Sequence, residues 1–168
     1  LYGLYLPDEG EIYVENEKAT INSPRDAINL KIGMVHQHLT LIPRLTVAEN
    51  IILGFKALSG MSGMELLTER VKEIGDRYGL KIDLQQKVEN LSIGEKQRAE
   101  IVKALCRGAN ILILDEPTSV LAPQEVEGLF EAVKTLAKDG GSIVLITHKV
   151  REALPVCSRI TVLRKGKV

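Results

Sequence analysis

Two adjacent carboxylates stand directly after an apolar run. Residues Ile111–Leu114 are followed by Asp115, Glu116 and Pro117. The run predicts a strand buried on both faces, and open α/β sheets bind ligands beyond the carboxyl ends of such strands. Because neighbouring side chains of a strand point in different directions, one carboxylate can hold Mg²⁺ while the other activates water. A strand that runs into a solvated turn is the alternative interpretation of these residues alone.

A second motif, Leu91-Ser92-Ile93-Gly94-Glu95, stands at a predicted helix start. Ser92 and Glu95 have the spacing of a capping box, and those two residues alone indicate no more than a cap. Gly94 costs the helix about 1 kcal/mol of intrinsic propensity. Glycine would let an anion approach the backbone N–H groups at the positive end of the helix, with the Ser92 hydroxyl as a further donor. We therefore predict a helix start that binds phosphate.

Two single polar residues follow other predicted strands. Gln37 comes after Ile32–Val35, and His148 comes after Ser142–Thr147. Parallel strands end at a common edge, so both residues are expected beside the two carboxylates. A glutamine there can contact Mg²⁺ and the attacking water, and a histidine can reach a γ-phosphate. Each is also compatible with an ordinary loop residue, and the two histidines that flank Gln37 are interpreted as solvated polar residues.

The elements that must position these residues alternate between strand and helix, which predicts right-handed crossovers and a parallel sheet. Hydrophobic periodicity, capping residues and glycines set the boundaries. The predicted elements are a helix end at Leu1–Gly3, a strand at Glu11–Val14, a helix at Pro24–Leu30, a strand at Ile32–Val35, a helix from Thr46 through Phe55 broken by Gly60, Ser62 and Gly63, a helix through Leu67 and Tyr78 closed by Gly79, a helix at Ser92–Arg107, the strand at Ile111–Leu114, a helix from Pro123 ended by Gly140, a strand at Ser142–Thr147, a helix at Lys149–Leu154 and a strand at Arg159–Arg164.

Composition narrows the class of protein. The 168 residues carry 22 basic and 22 acidic side chains, so no net field favours nucleic acid or anionic lipid. Apolar runs such as Ile111–Leu114 are far shorter than the roughly 20 residues of a membrane span. The two cysteines, Cys106 and Cys157, lack metal-binding or redox spacing and are interpreted as reduced thiols. One soluble α/β domain is therefore expected, and any membrane role would come through a partner.

In combination, the two motifs with Gln37 before them and His148 after them resemble the ATPase domain of ABC transporters, over nearly the whole chain. The resemblance implies an α/β fold with a P-loop-NTPase-like parallel sheet core, an inserted helical subdomain and a short N-terminal β segment. Residues 1–37 and 108–168 would form the sheet core, and residues 38–107 the mostly helical subdomain.

The same resemblance implies ATP and Mg²⁺ as cofactors and gives each motif residue a role. Glu116 would activate water, His148 would be the switch histidine and Gln37 the Q-loop glutamine. Asp115 would hold Mg²⁺, with Gln37 as a further ligand. The signature residues Ser92, Ile93, Gly94 and Glu95 would bind the γ-phosphate of an ATP held by the opposite ATPase domain.

Partners follow from the family as well. A head-to-tail second ATPase domain, transmembrane permease subunits and, indirectly, an extracytoplasmic solute-binding protein are implied, with the ATPase peripheral at the cytoplasmic face of the membrane. Several segments resemble the first ATPase half of bacterial simple-sugar and nucleoside importers, and the nucleoside branch is favoured. These segments are Ser23–Ala27, Gly33–His38, Leu45–Asn50 and Ser119–Glu125.

Two departures from the family pattern qualify the expectation. The sequence has no Gly-x-x-x-x-Gly-Lys-Ser/Thr, so the chain is expected to lack the P-loop strand and to be inactive and marginally stable by itself. Ala122 stands where most of the family carries the D-loop aspartate. A non-catalytic remnant that offers its signature to a partner remains an alternative. So does a soluble ABC ATPase, although neutral charge and the lack of heptads argue against nucleic-acid or ribosome work.

Overall fold

A computed structural model describes residues 1–53 and 61–168 of the chain. Strands and helices alternate through most of that length. The strands are β1 (Ile12–Val14), β2 (Glu17–Ala19), β3 (Ile32–Val35), β4 (Ile111–Asp115) and β5 (Ser142–Ile146). The helices are α1 (Pro24–Asn29), α2 (Val47–Ile52), α3 (Met61–Tyr78), α4 (Ile93–Cys106), α5 (Pro123–Lys138) and α6 (Val150–Ala153). In these ranges no helix is both long and apolar enough to cross a membrane.

The central sheet is parallel, with β4 between β3 and β5. Val35 lies opposite Leu114, and Asp115 lies opposite Ile146, so the three strands end at one edge. The predicted α/β class and the parallel sheet are therefore confirmed. Since all three carboxyl ends coincide, residues that follow the strands are carried to a common site.

The sheet has an apolar layer on each face. Leu112 and Leu114 point into a large core shared with α2, α3, α4 and α5. Ile113 and Ile32 point to the other face, where they meet Ala27 of α1. This alternation within one strand is what the continuous apolar sequence of β4 predicts for a central parallel strand.

Helix α4 packs closely on β3 because Gly33 carries no side chain. A Cβ at Gly33 would lie 2.8 Å from the Cβ of Ala109 and 3.1 Å from that of Ala104. Both distances are shorter than ordinary carbon contacts. The absence of a side chain at Gly33 therefore allows α4 to lie this close to the sheet.

A hairpin near the start of the chain includes a strand that the sequence did not predict. β1 pairs antiparallel with β2 across Glu15 and Asn16, whose φ angles are +53° and +68°. Two consecutive left-handed residues are the geometry of a type I′ turn. β2 reads Glu-Lys-Ala, and this short polar sequence carries no strand signal of its own.

Three predicted elements differ from the structure. Leu1–Gly3 is not helical, since three residues cannot close an i to i+4 hydrogen bond. The break expected at Ser62 and Gly63 is wrong, because both lie within α3. The buried positions further along that helix outweigh the roughly 1 kcal/mol cost of one glycine. Phe55 and Gly60 lie outside the described residues.

The strand predicted at Arg159–Arg164 is also wrong. Arg164 makes one isolated antiparallel bridge to Lys167, and the rest of the segment has no strand pairing. Val162 and Leu163 are 68% and 73% exposed. An alternating sequence becomes a strand only beside a neighbouring strand that completes its hydrogen bonds, and β5 pairs on one side alone in the described part of the chain.

Candidate functional site

The carboxyl end of β4 carries the two predicted carboxylates. Asp115 is the last residue of the strand, and the N–H of Glu116 donates to the carbonyl of Ile146 at 2.9 Å. Glu116 then turns away with φ at +48°, a left-handed conformation that a glutamate seldom adopts. Such backbone outliers cost of order 1–3 kcal/mol and concentrate at functional sites. The turn directs the Glu116 side chain toward the end of β5.

Glu116 and His148 are paired at this edge. The Oε1 atom of Glu116 accepts a hydrogen bond from the His148 backbone N–H at 3.0 Å and lies 2.7 Å from Nδ1 of the imidazole. The Glu116 side chain is 16% exposed, whereas that of His148 is 75% exposed. Oε2 of Glu116 is buried and makes no hydrogen bond within the described residues. One oxygen is therefore held in place, and the other remains able to accept a proton.

Lys149 fixes the loops on both sides of this pair. Its Nζ donates to the carbonyl of Thr118 at 2.9 Å, and its backbone N–H donates to Oγ1 of Thr147 at 3.0 Å. The loop after Glu116 is thus attached to the loop that carries His148. Lys149 was not among the predicted site residues, although its position next to His148 was a usable signal.

Gln37 lies two residues beyond the end of β3, at the same edge, and is exposed. No hydrogen bond among the described residues joins it to the carboxylates. Its neighbour His36 is half-buried, and its ring meets Tyr2 edge-on at 5.9 Å between centroids. His36 is therefore a packing residue and not the solvated side chain that the sequence suggested.

The segment that follows Gln37 is held by two buried polar side chains that sequence analysis missed. Glu100 of α4 accepts hydrogen bonds from both N–H and Oγ1 of Thr40, each at 2.7 Å. Asn50 of α2 accepts from the N–H of Ile42 at 2.7 Å and donates to its carbonyl at 3.1 Å. Both are about 95% buried. A polar residue on the core-facing side of a helix was the available signal.

The start of α4 has the predicted capping box. Oγ of Ser92 accepts from the Glu95 N–H at 3.2 Å, and Oε2 of Glu95 accepts from the Ser92 N–H at 2.8 Å. The second bond is the main reason why the pKa of Glu95 is lowered. Within the described residues, no hydrogen bond uses the N–H of Ile93 or Gly94, and none joins Ser92 to Glu116. The helix start therefore has two backbone N–H groups without a partner among the described residues, and it makes no hydrogen bond to the carboxylate pair.

The donor chemistry of Asp115 and Gln37 fits Mg²⁺, which prefers carboxylate and carbonyl oxygens and keeps several waters. In residues 1–53 and 61–168, no group of three or more His, Cys, Asp or Glu side chains could hold a metal alone.

Solved structures of ATP-binding cassettes share this fold. The chain aligns with MJ0796, a dimeric cassette bound to ADP and phosphate, at a TM-score of 0.68 and 30% identity over 89% of this chain and 67% of that one. CbiO1 of Clostridium perfringens, part of an ABC transporter complex, aligns at a TM-score of 0.76 and 25% identity over 93% of this chain and 62% of that one.

Relatives of similar sequence are import proteins. The guanosine import ATP-binding protein NupO of Bacillus subtilis is 52% identical, and the nucleoside import ATP-binding protein NupA of Lactococcus lactis is 47% identical. Each match covers 99% of this chain and 33% of the relative, so the chain spans about a third of their length. The family model for the ABC transporter matches residues 1–119. The chain belongs to the ABC transporter family.

Proposed function

We propose that this chain is the ATP-hydrolysing part of an ABC importer that drives uptake of a nucleoside or simple sugar. The observation that carries the proposal is the Glu116–His148 pair at the end of β4. Glu116 has one carboxylate oxygen fixed and one buried without a partner, which suits a general base that must accept a proton at a defined position.

In the proposed reaction, Oε2 of Glu116 takes a proton from the water that attacks the γ-phosphate. His148 holds the other oxygen through Nδ1, and its exposed ring can present Nε2 to the phosphate. Asp115 and Gln37 would hold Mg²⁺, which when bound neutralises charge on the phosphates. The rigid strand end and the left-handed turn at Glu116 keep these groups in position before substrate arrives.

The start of α4 would serve a second active site. Its free N–H groups at Ile93 and Gly94, with the Ser92 hydroxyl, suit the γ-phosphate of an ATP held by an opposing ATPase domain. Residues Ser92, Ile93, Gly94 and Glu95 would thus act in trans, in a head-to-tail dimer. The dimeric cassette with similar fold supports this arrangement.

The solute and the remaining partners are proposed from the relatives. NupO and NupA are named for guanosine and nucleoside import, respectively, which favours a nucleoside over a sugar. Permease subunits in the membrane, and a solute-binding protein outside it, would complete the transporter. The ATPase would sit peripherally at the cytoplasmic face.

The test replaces Glu116 with glutamine in a form of the protein that includes a phosphate-binding loop. Glutamine keeps the shape of the side chain but cannot accept the proton, so steady-state ATP hydrolysis should fall about 10²–10⁴-fold. ATP binding, followed by a fluorescent analogue, should persist, and ATP should hold the dimer together for longer than in wild type.

The matched control is Glu127→Gln, an exposed position on α5, which should leave hydrolysis unchanged. Hydrolysis by Glu116→Gln within a few-fold of wild type would remove Glu116 from the role. If wild type binds no ATP in any form, the alternative of a non-catalytic chain that lends its signature to another ATPase would replace the proposal.

A further inference from the structure

The side chain of Glu125 joins the start of α5 to the start of α4. Glu125 lies in the first turn of α5, and its Oε2 accepts a hydrogen bond from the Ala122 N–H at 3.0 Å. Its other oxygen, Oε1, lies against Gly94 of α4. The same carboxylate therefore closes the loop that follows the catalytic residues and contacts the phosphate-binding motif.

Gly94 leaves no room for a side chain at this contact. A Cβ at position 94 would overlap both Oε1 and the carboxyl carbon of Glu125 and would lie 3.1 Å from Oε2. The Glu125 side chain can rotate to relieve the overlap, but rotation would break its bond to Ala122. Alanine at position 94 would therefore cost the Glu125–Ala122 hydrogen bond, whether or not a phosphate binds nearby.

A cavity of about 180 Å³ lies beside this contact. Gly94 and Glu125 line it together with Gln97, Arg98 and Gln124. Gln97 is 5% exposed, and its Nε2 makes no hydrogen bond within the described residues. The two helix starts are therefore not tightly packed around the Glu125–Gly94 contact.

We propose that Glu125 is a positioning residue that couples the signature to the loop after Glu116. Through the Ala122 N–H it fixes residues 119–122, and through Gly94 it fixes the start of α4. A displacement of either element is passed to the other within one chain. The contact follows from the fold alone, whereas its effect on ATP-dependent association rests on the proposed function.

A double-mutant cycle tests the contact. Gly94→Ala breaks the Glu125–Ala122 bond but gains helix propensity of similar size, so it should change the Tm of this chain by less than about 2 °C. Glu125→Ala should lower the Tm by about 2–4 °C, as expected for one lost capping bond, and adding Gly94→Ala to it should raise the Tm by about 2–4 °C, because only the propensity gain remains. A Gly94→Ala effect that is equal in the two backgrounds would overturn the proposed contact, because it would mean that the two positions act independently.

The matched control is Gly128→Ala, one turn along α5. A Cβ there meets nothing within 4 Å, so alanine should raise the Tm through its better helix propensity. A Tm change in Gly128→Ala equal to that in Gly94→Ala alone would mean that Glu125 does not penalise alanine at position 94 and would also overturn the proposal.

Wild type, Gly94→Ala, Glu125→Ala and the double variant, each in a form with a phosphate-binding loop, test the coupling through ATP-dependent association. Gly94→Ala should weaken association about fivefold more when residue 125 is glutamate than when it is alanine, where only the loss of access for phosphate remains. An equal loss in both backgrounds would mean that Gly94 acts only by admitting phosphate, and the coupling would be refuted. If wild type does not associate with ATP, the proposed function fails, while the Tm cycle still decides the contact.

Discussion

Asn50 gives the sharpest test of how the segment after Gln37 is held. The side chain is 2% exposed and makes three hydrogen bonds to the main chain of the preceding segment. Two are to Ile42, and the third runs from Nδ2 to the carbonyl of Thr46 at 3.0 Å. Asn50→Ala removes all three bonds and leaves the main-chain groups of a loop without these partners.

The magnitude follows from those bonds. Each contributes a net ~0.5–1.5 kcal/mol, so three contribute about 3 kcal/mol. Ile42 is partly open to solvent, 44% exposed, and water can replace part of the loss at its own N–H and carbonyl. We expect the free energy of local opening around Ile42 to fall by about 2–3 kcal/mol, which corresponds to roughly a 30- to 150-fold change in the opening equilibrium.

Native-state hydrogen exchange measures this change in the opening equilibrium directly. The Ile42 amide donates to Asn50, so its exchange rate in native protein should rise by about the same 30- to 150-fold in Asn50→Ala. Asn29→Ala, at the exposed end of α1, is the matched control and should leave the Ile42 amide unchanged. An Ile42 exchange rate within twofold of wild type in Asn50→Ala would show that the loop is held by other contacts.

Three further outcomes are expected. Burial raises the pKa of the Cys106 thiol to about 11, so iodoacetamide at pH 8 should modify the partly exposed Cys157 and spare Cys106 until urea is added, as measured by mass spectrometry. Hydrogen bonding to Ser92 lowers the pKa of Glu95. The contribution of the ionised Glu95 to the stability of the fold is therefore present above the ordinary glutamate pKa of about 4.3 and is lost as pH falls through the lowered pKa. The Tm measured at decreasing pH should fall less steeply in Glu95→Gln than in wild type. Glu100→Ala should speed exchange of the Thr40 amide, whereas Glu100→Gln, which keeps an acceptor oxygen, should largely preserve its protection.

Local chemistry made much of the fold predictable. The apolar sequence of β4 and the capping boxes at Thr46 and Ser92 depend on residues only a few positions apart. These elements can therefore be predicted from the sequence alone. The strand expected at Arg159–Arg164 failed because a strand depends on a neighbour, and alternation alone does not provide one. β2 was not predicted because its strand conformation depends on pairing with β1 across the turn, and its own residues carry no strand signal.

The candidate site divides in the same way. Glu116 and His148 were expected at one edge because both follow parallel strands, and the structure brings them into contact. The wider assignment of roles to the motif residues stays a prediction. Glu100 and Glu125 were missed because their importance lies in partners 60 and 31 residues away along the chain, Thr40 and Gly94. A sequence shows which residue is polar, but only the fold shows what it meets.

The topology has a consequence for how the chain folds. β3 and β4 are neighbours in the sheet, but α2, α3 and α4 separate them in the sequence. Val35 therefore cannot pair with Leu114 until all of these helices have been synthesised. Closing a loop of that length costs entropy before any strand pairing compensates. Helices need only nearby residues, so during synthesis the helical segment can form while β3 still has an open edge. We expect completion of the sheet to limit the folding rate, and β3 to be the part most in need of protection by a chaperone until β4 emerges.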